Sequence, residues 1–226
     1  MSRTLSLLFV GLLSSTALAR PSLDSQRLAE LARYDVLVFS DPYQGGLERG
    51  KAIGVFDATP EEVFRVAVDF GKWKDYLPKV RGSTVVSSSG NQALVETTAE
   101  LPWPVGTTRV EARYTQEKLA GDIYRVRFDM VHGSMKAYLG SIYIEPWAAG
   151  KAAVTYELVA EPDLPAPKSA INRIVMRTAS GFVHALRQRI NEMHRLGYLH
   201  PVVRPTPATP LQPPTDPTSV KAKLQR

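Results

Sequence analysis

The fold is decided by residues 168–196, KSAINRIVMRTASGFVHALRQRINEMHRL, which follow the proline-rich lead-in Leu164-Pro165-Ala166-Pro167. Apolar residues recur every three or four positions, the spacing that gathers side chains on one face of an α-helix. A helix of roughly 28 residues is about 40 Å long and needs a large apolar surface to lie on. The stretch therefore predicts one long helix packed on a sheet. Its apolar positions are Ile171, Ile174, Val175, Thr178, Phe182, Leu186, Ile190 and Met193.

The opposite face of this helix is basic and carries Arg173, Arg177, His184, Arg187 and Arg195. One interpretation is a solvated surface that keeps the helix soluble. The other is a positive stripe that contacts anionic lipid, where each arginine near the membrane contributes about 1 kcal/mol. The candidate membrane contacts are Arg173, Arg177, Arg187 and Arg195.

Residues 1–19 have the pattern of a secretory signal peptide: Arg3, a short apolar run from Leu5 to Leu13, and the cleavage site Ala17-Leu18-Ala19. We therefore expect an exported protein, periplasmic or secreted, that is cleaved after Ala19. Loss of Arg3 lowers the formal net charge from +6 to +5. This modest excess indicates solubility rather than binding to nucleic acid. The chain has no cysteine, which excludes disulfides and thiolate chemistry.

Between the signal peptide and the long helix, the pattern has mostly a period of two. Turn residues separate these segments, and such short connections predict antiparallel hairpins. The predicted strands are 34–39, 52–56, 80–88, 93–101, 107–118, 123–132, 136–145 and 152–161. A short helix interrupts them, with Thr59 and Glu62 in a capping box and Pro60 in its first turn, and is expected to run to about Phe70.

Two boundaries divide the chain into a signal peptide, a domain over residues 20–198 and a tail over residues 199–226. Residues 201–226 contain seven prolines and little that could form a core. They predict a disordered or polyproline tail.

Three pieces of sequence, taken in their order and spacing, resemble a known superfamily. They are FDATPEEVF at 56–64 with residues 69–78, GSIYIEP at 140–146 with TYEL at 155–158, and residues 163–187. Over residues 34–196 the chain resembles the START-like, polyketide-cyclase and pollen-allergen (SRPBCC) superfamily, and within it the START-like lipid-binding proteins. The resemblance implies an α+β helix-grip fold, in which a curved antiparallel sheet wraps around a long C-terminal helix.

The resemblance also implies an elongated apolar cavity between sheet and helix, of the kind that holds a lipid, sterol, quinone or polyketide. Strand alternation indicates which side chains share the concave face. A solid core would use the same residue types, so the sequence leaves both possibilities open. The candidate ligand-binding residues on strands and helix are Val95, Val110, Tyr114, Phe128, Met130, Tyr138, Ile142, Tyr156, Val175 and Phe182.

Four further ligand-binding candidates come from the segment after the first helix and from the long helix. Trp73, Tyr76 and Leu77 follow the first helix, where a helix-grip cavity usually opens, so we expect them to close one end. Arg189 lies near the centre of the apolar helix face, about 160° from Arg173. Either it snorkels past the end of the sheet, or it holds a polar ligand head or a buried acid.

The leading functional hypothesis is a monomeric, non-enzymatic carrier of a hydrophobic small molecule or lipid, with no cofactor, metal or nucleic-acid partner. The main alternative is an enzyme of the cyclase or aromatase kind, which needs polar groups inside the cavity to move protons. Tyr114, Tyr138 and Tyr156 could donate hydrogen bonds there. A third possibility is an envelope interaction module that uses the tail and the basic helix face without any ligand. The four histidines lack metal-ligand spacing, so we predict no catalytic or metal-binding residue.

Overall fold

The computed structural model describes residues 35–101 and 106–199, so the expected signal peptide and nearly all of the expected tail lie outside the described residues. The described strands form one antiparallel sheet of eight, in the order β1-β2-β8-β7-β6-β5-β4-β3. They are β1 (Val36–Pro42), β2 (Glu48–Phe56), β3 (Val80–Ser89), β4 (Gln92–Leu101), β5 (Gly106–Leu119), β6 (Ile123–Gly133), β7 (Met135–Ala148) and β8 (Lys151–Pro162). The helices are α1 (Pro60–Ala67), α2 (Trp73–Tyr76) and α3 (Lys168–Arg195).

The sheet is curved, and α3 lies in its concave face, so the α+β helix-grip fold is confirmed. Strands β3 to β8 pair in chain order, as expected for successive hairpins. The β1–β2 hairpin joins on the other side of β8, where Gly50 lies opposite Leu158 and Phe56 opposite Ala152. The last strand of the chain therefore connects the first hairpin to the rest of the sheet.

Helix α3 packs closely on β2 because two glycines leave room for it. A Cβ atom on Gly50 would lie 2.8 Å from Val175 Cγ1, and one on Gly54 would lie 2.7 Å from Val183 Cγ1. Both distances are shorter than packed side chains allow. Five of the eight predicted apolar positions of α3 are buried: Ile171, Val175, Phe182, Leu186 and Ile190. Ile174 and Met193 are half-buried and Thr178 is exposed, whereas the buried face also includes Ala179, Val183 and Ala185.

Arg187 belongs to this packed interface, although the sequence placed it on the exposed basic face. Its Nε donates to the Val55 carbonyl at 3.1 Å, and its guanidinium lies 5.2 Å from the centre of the Phe56 ring. It also forms an ion pair with Asp35, and its side chain is only 16% exposed. The expected membrane contact at Arg187 is therefore wrong, because the long side chain folds around α3 toward β1 and β2.

The predicted capping box begins α1. Thr59 Oγ1 accepts a hydrogen bond from the Glu62 amide at 3.3 Å, and the Glu62 carboxylate accepts one from the Thr59 amide at 2.9 Å. The helix ends at Ala67, before the expected Phe70. Phe70 instead begins a short 3-10 turn, which directs its ring into the core, 4.7 Å from the ring of Tyr114.

The expected domain boundary is one residue too early. Leu199, which the sequence assigned to the tail, is only 3% exposed and packs in the main apolar core. Its amide hydrogen-bonds to the Met193 carbonyl at 3.4 Å, which turns the chain back after α3. The domain therefore includes Leu199.

Candidate ligand-binding cavity

A cavity of about 460 Å³ lies between the concave face of the sheet and the middle of α3. Strands β4, β5, β7 and β8 form its floor, α3 forms its roof, and the segment after α1 forms one side. Seven of the candidate ligand-binding residues line it: Trp73, Leu77, Val110, Tyr138, Tyr156, Val175 and Phe182.

Small side chains leave this space open. The strands present Thr97, Ala99, Thr108 and Ala160 to it, where a solid core would need larger residues. On the helix side, Gly181 allows close approach of the segment after α2, because a Cβ atom there would lie 3.3 Å from Pro78 Cγ.

Aromatic rings fill the rest of the concave face, so several predicted lining residues belong to a solid core. The Tyr114 ring lies 5.3 Å from that of Trp73 and 5.4 Å from that of Phe128. Because these rings occupy the space that the sequence assigned to the cavity, five of the predicted lining residues lie in the packed core instead. The five are Val95, Tyr114, Phe128, Ile142 and Met130, of which the first four are buried and Met130 is half-buried against the core.

Tyr76 and Arg189 also lie outside the cavity, in a separate small cleft beside α1. The Tyr76 hydroxyl donates to the Val66 carbonyl at 3.3 Å. Arg189 reaches along its own helix and donates to Glu192 at 2.8 Å. The structure therefore does not place Arg189 on a ligand in the cavity; its half-buried side chain runs along the helix surface, as snorkelling requires.

Trp73 is a fixed part of the cavity wall. It is 4% exposed, and its indole Nε1 donates to the Ala67 carbonyl at 3.1 Å. Its ring also packs edge-on against those of Phe70 and Phe182. These contacts make Trp73 a core residue and a wall residue at once, rather than a movable cover.

The cavity reaches the surface where the segment after α2 meets α3. Pro78, Lys79 and Arg177 belong to its lining and are exposed, so they mark its mouth. Arg177 also lines an open groove on the outer side of α3, together with Arg173. Two of the predicted basic residues therefore lie at or beside the mouth. Arg195 is exposed about 30 Å further along the helix axis.

Two tyrosines of the lining, Tyr138 and Tyr156, contribute polar groups to the cavity, and Tyr114 contacts Tyr138 from the core. The hydroxyls of Tyr114 and Tyr156 hydrogen-bond to that of Tyr138. Burial raises the pKa of all three phenols, and the neighbouring Tyr138 raises the pKa of Tyr114 and Tyr156 further. At neutral pH each phenol therefore keeps its proton and can donate a hydrogen bond.

Sequence reasoning missed about two thirds of the lining. Thr97, Ala99 and Leu101 lie two, four and six residues after Val95 on the same face of β4, so strand alternation could have found them. Met135 was missed because the predicted strand began at residue 136, whereas β7 begins at Met135. Neither a group of residues that could hold a metal ion nor a helix apolar and long enough to span a membrane occurs within residues 35–101 and 106–199.

Comparisons with known proteins agree with this architecture. A family model described as "polyketide cyclase / dehydrase and lipid transport" matches residues 56–187, more than half of the chain. No curated protein matches the sequence significantly.

Three solved structures are similar in fold. A STAR-related lipid transfer protein from Xanthomonas axonopodis has a TM-score of 0.63 and 21% identity, over 70% of this chain and 94% of that one. Human StAR-related lipid transfer protein 5 has a TM-score of 0.58 and 11% identity, over 75% and 93% of the two chains. A Streptomyces aromatase/cyclase has a TM-score of 0.55 and 10% identity, over 66% and 96%.

At such low identity these structures establish the fold, while the family model covers the strands and helix that enclose the cavity. The chain therefore belongs to the polyketide cyclase/dehydrase and lipid transport family, within the START-like SRPBCC superfamily.

Proposed function

We propose that this protein is a carrier that holds one apolar small molecule between its sheet and α3 and performs no chemistry on it. The observation that carries the proposal is the cavity of about 460 Å³, lined mainly by apolar side chains and open beside Lys79 and Arg177. Pockets of this size and composition are typical of sites that bury most of a small ligand.

The volume limits the size of the ligand. At roughly 30 Å³ for each non-hydrogen atom, the share of one molecule in liquid water, the space holds about 15 such atoms. This fits a single acyl chain or a compound of a few rings. A phospholipid with two long chains would need the cavity to expand.

The ionisable groups of the lining favour binding over catalysis. Tyr138 and Tyr156 face the cavity, and their raised pKa values keep them protonated at neutral pH. A general base must instead accept a proton near the working pH. Lys79 and Arg177 lie at the mouth, where they can meet a polar group that leaves the cavity.

We also propose that the carrier works after export, in the periplasm or outside the cell. Support comes from the sequence of residues 1–19, with Arg3, an apolar run and Ala17-Leu18-Ala19. An apolar molecule that must cross an aqueous compartment is the cargo for which such a cavity is useful.

Native mass spectrometry, with solvent extraction of the same sample, tests the carrier proposal. We expect an adduct of one small apolar molecule on the gently purified protein. Ala160→Phe, which fills the cavity from β8, should abolish the adduct. Ala120→Phe, on the exposed turn between β5 and β6, adds the same mass and should leave the adduct in place. An adduct that survives in Ala160→Phe would place the ligand elsewhere, and empty wild-type protein that also binds no added lipid would refute the carrier.

A further inference from the structure

The hydroxyl of Tyr138 is the centre of the tyrosine cluster. The rings of Tyr114, Tyr138 and Tyr156 surround Phe128, with centroid distances to it of 5.4, 5.2 and 6.0 Å. A phenolic oxygen can accept two hydrogen bonds and donate one. Three phenols joined by two hydrogen bonds use two of their three hydroxyl protons, so one proton is left for a further acceptor.

The Tyr138 side chain lines the cavity, and so does a second hydroxyl. Thr97 Oγ1 is buried and has no hydrogen-bond partner among the residues that the structure describes. Buried polar groups are nearly always paired, so an unpaired one at a cavity wall indicates a partner that enters the cavity. Thr108 on the adjacent strand differs, because its hydroxyl already donates to the Ala99 carbonyl at 3.4 Å.

We propose that Tyr138 and Thr97 form a polar subsite that donates hydrogen bonds to a carbonyl or hydroxyl oxygen of the ligand. The oxygen belongs to a neutral group, since the charged side chains of the lining, Lys79 and Arg177, lie at the mouth. A carboxylate beside the tyrosines would be buried without a counter-ion, which is strongly unfavourable. The ligand class is thus an apolar molecule with a ketone, ester, aldehyde or alcohol group. This inference rests on the proposed function, because it assigns the chemistry of the same cavity.

Two fluorescent probes of similar size separate polar recognition from apolar binding. Prodan is an apolar ketone whose emission moves to longer wavelength when its carbonyl accepts a hydrogen bond, whereas pyrene is a hydrocarbon with no acceptor. We expect the wild-type protein to bind both, and bound prodan to emit as it does in an alcohol rather than in an alkane.

Tyr138→Phe and Thr97→Val each remove one hydroxyl with little change of shape. Each should weaken prodan binding about fivefold, the effect of one neutral hydrogen bond, and shift its bound emission to shorter wavelength. Pyrene binding should stay within about twofold of wild type. Tyr143→Phe alters a tyrosine outside the cavity, so it should not change prodan binding.

The outcomes distinguish this subsite from the carrier function. If the wild-type protein binds pyrene, but its bound prodan emits as in an alkane and neither variant weakens it, the subsite is refuted while the carrier stands. Equal losses of prodan and pyrene in both variants would also refute the subsite, since they report cavity shape. If the wild-type protein binds neither probe, both the polar subsite and the carrier function are refuted.

Discussion

Trp73 contributes both to the stability of the core and to the wall of the cavity. It is buried, hydrogen-bonded to the Ala67 carbonyl, and packed against the rings of Phe70, Tyr114 and Phe182. The sequence predicted that it closes one end of the cavity, but it could not show that the ring also belongs to the core. That distinction depends on which rings from distant strands reach it.

Trp73→Ala should therefore lower the free energy of unfolding by about 3–5 kcal/mol, as truncation of a core aromatic residue does. Urea denaturation measures this directly. Leu101→Ala, on the half-buried wall of the cavity, serves as a control with a smaller expected loss, because its side chain already faces open space. A loss below about 1 kcal/mol at Trp73 would mean that the residue moves freely as a cover of the cavity.

Glu117 connects two arginines on the outer face of the sheet. Burial acts to raise its pKa, but hydrogen bonds from Arg125 and Arg127, at 2.6 and 2.7 Å, hold the pKa below the ordinary value. In the unfolded chain Glu117 takes up its proton at a higher pH than in the folded protein. Its contribution to stability is therefore complete above the ordinary pKa of 4.5 and is lost as the pH falls through the lower folded value.

Glu117→Gln should accordingly be less stable than wild type at pH 6, and the difference should shrink steadily below pH 4.5. Urea midpoints for both proteins across this range provide the measurement. Asp122→Asn, which changes an exposed carboxylate in the next turn, is the matched control. A difference between wild type and Glu117→Gln that stays constant with pH would contradict the assigned pKa shift.

Helix α3 shows which features of a single helix can be predicted from hydrophobic periodicity. Its length and most of its buried face follow from apolar spacing, because few other arrangements can hide so many apolar side chains. The directions of its long polar side chains do not follow from spacing. Arg187 bends inward to Val55, and Arg189 runs along the helix to Glu192, since each finds a partner that only the folded chain provides.

Arg187→Met should lower the free energy of unfolding by about 2 kcal/mol, because it removes a charged donor from the half-buried Val55 carbonyl. Asp35→Asn should cost less than about 1 kcal/mol, since that carboxylate is 71% exposed. Chemical denaturation of both variants tests the order. If Asp35→Asn lowers the free energy of unfolding as much as Arg187→Met does, the main contribution of Arg187 to stability is its ion pair with Asp35 rather than its hydrogen bond to the Val55 carbonyl.

We also propose that α3 contacts anionic membranes while ligand is exchanged, because exposed arginines lie beside the mouth of the cavity. Arg173 and Arg177 together would contribute about 2 kcal/mol, which is roughly a 30-fold gain in binding. We expect flotation with anionic but not neutral vesicles, and loss of it at high salt and in Arg173→Glu/Arg177→Glu.

Arg195→Glu changes charge at the far end of the helix and is the control for this experiment. It should retain most of the binding, since it lies about 30 Å from Arg173. Equal loss in both variants would indicate attraction to the whole basic protein rather than docking of the mouth. If the wild-type protein does not bind anionic vesicles, the membrane contact is refuted and the arginines are only a solvated surface.

At the scale of the whole molecule, the order of elements was enough to predict the helix-grip fold. Which part of the concave face is empty was not predictable. The cavity depends on Thr97, Ala99 and Ala160 facing one stretch of α3, whereas Tyr114 and Phe128 fill the neighbouring space. These residues come from four different strands, so no local sequence pattern predicts that they come together.

Export is a property of the whole chain and is tested by its mass. If the pattern of residues 1–19 acts as a signal peptide, the intact mass of protein from the periplasm or medium should correspond to a chain that starts at Arg20. A variant with Ala17→Arg and Ala19→Arg should remain uncleaved, because the cleavage site requires small residues. Unprocessed wild-type protein in the cytosol would contradict the proposal.

The pairing of β2 with β8 limits how early during synthesis of the chain the cavity can form. Gly50 and Leu158 are neighbours in the sheet although more than a hundred positions separate them along the chain, and the roof, α3, follows later still. A ribosome that has made only the first hundred residues has made no cavity, because β5, β7, β8 and α3 are not yet part of the chain. A ligand can therefore meet all the walls of its site only after synthesis has passed α3.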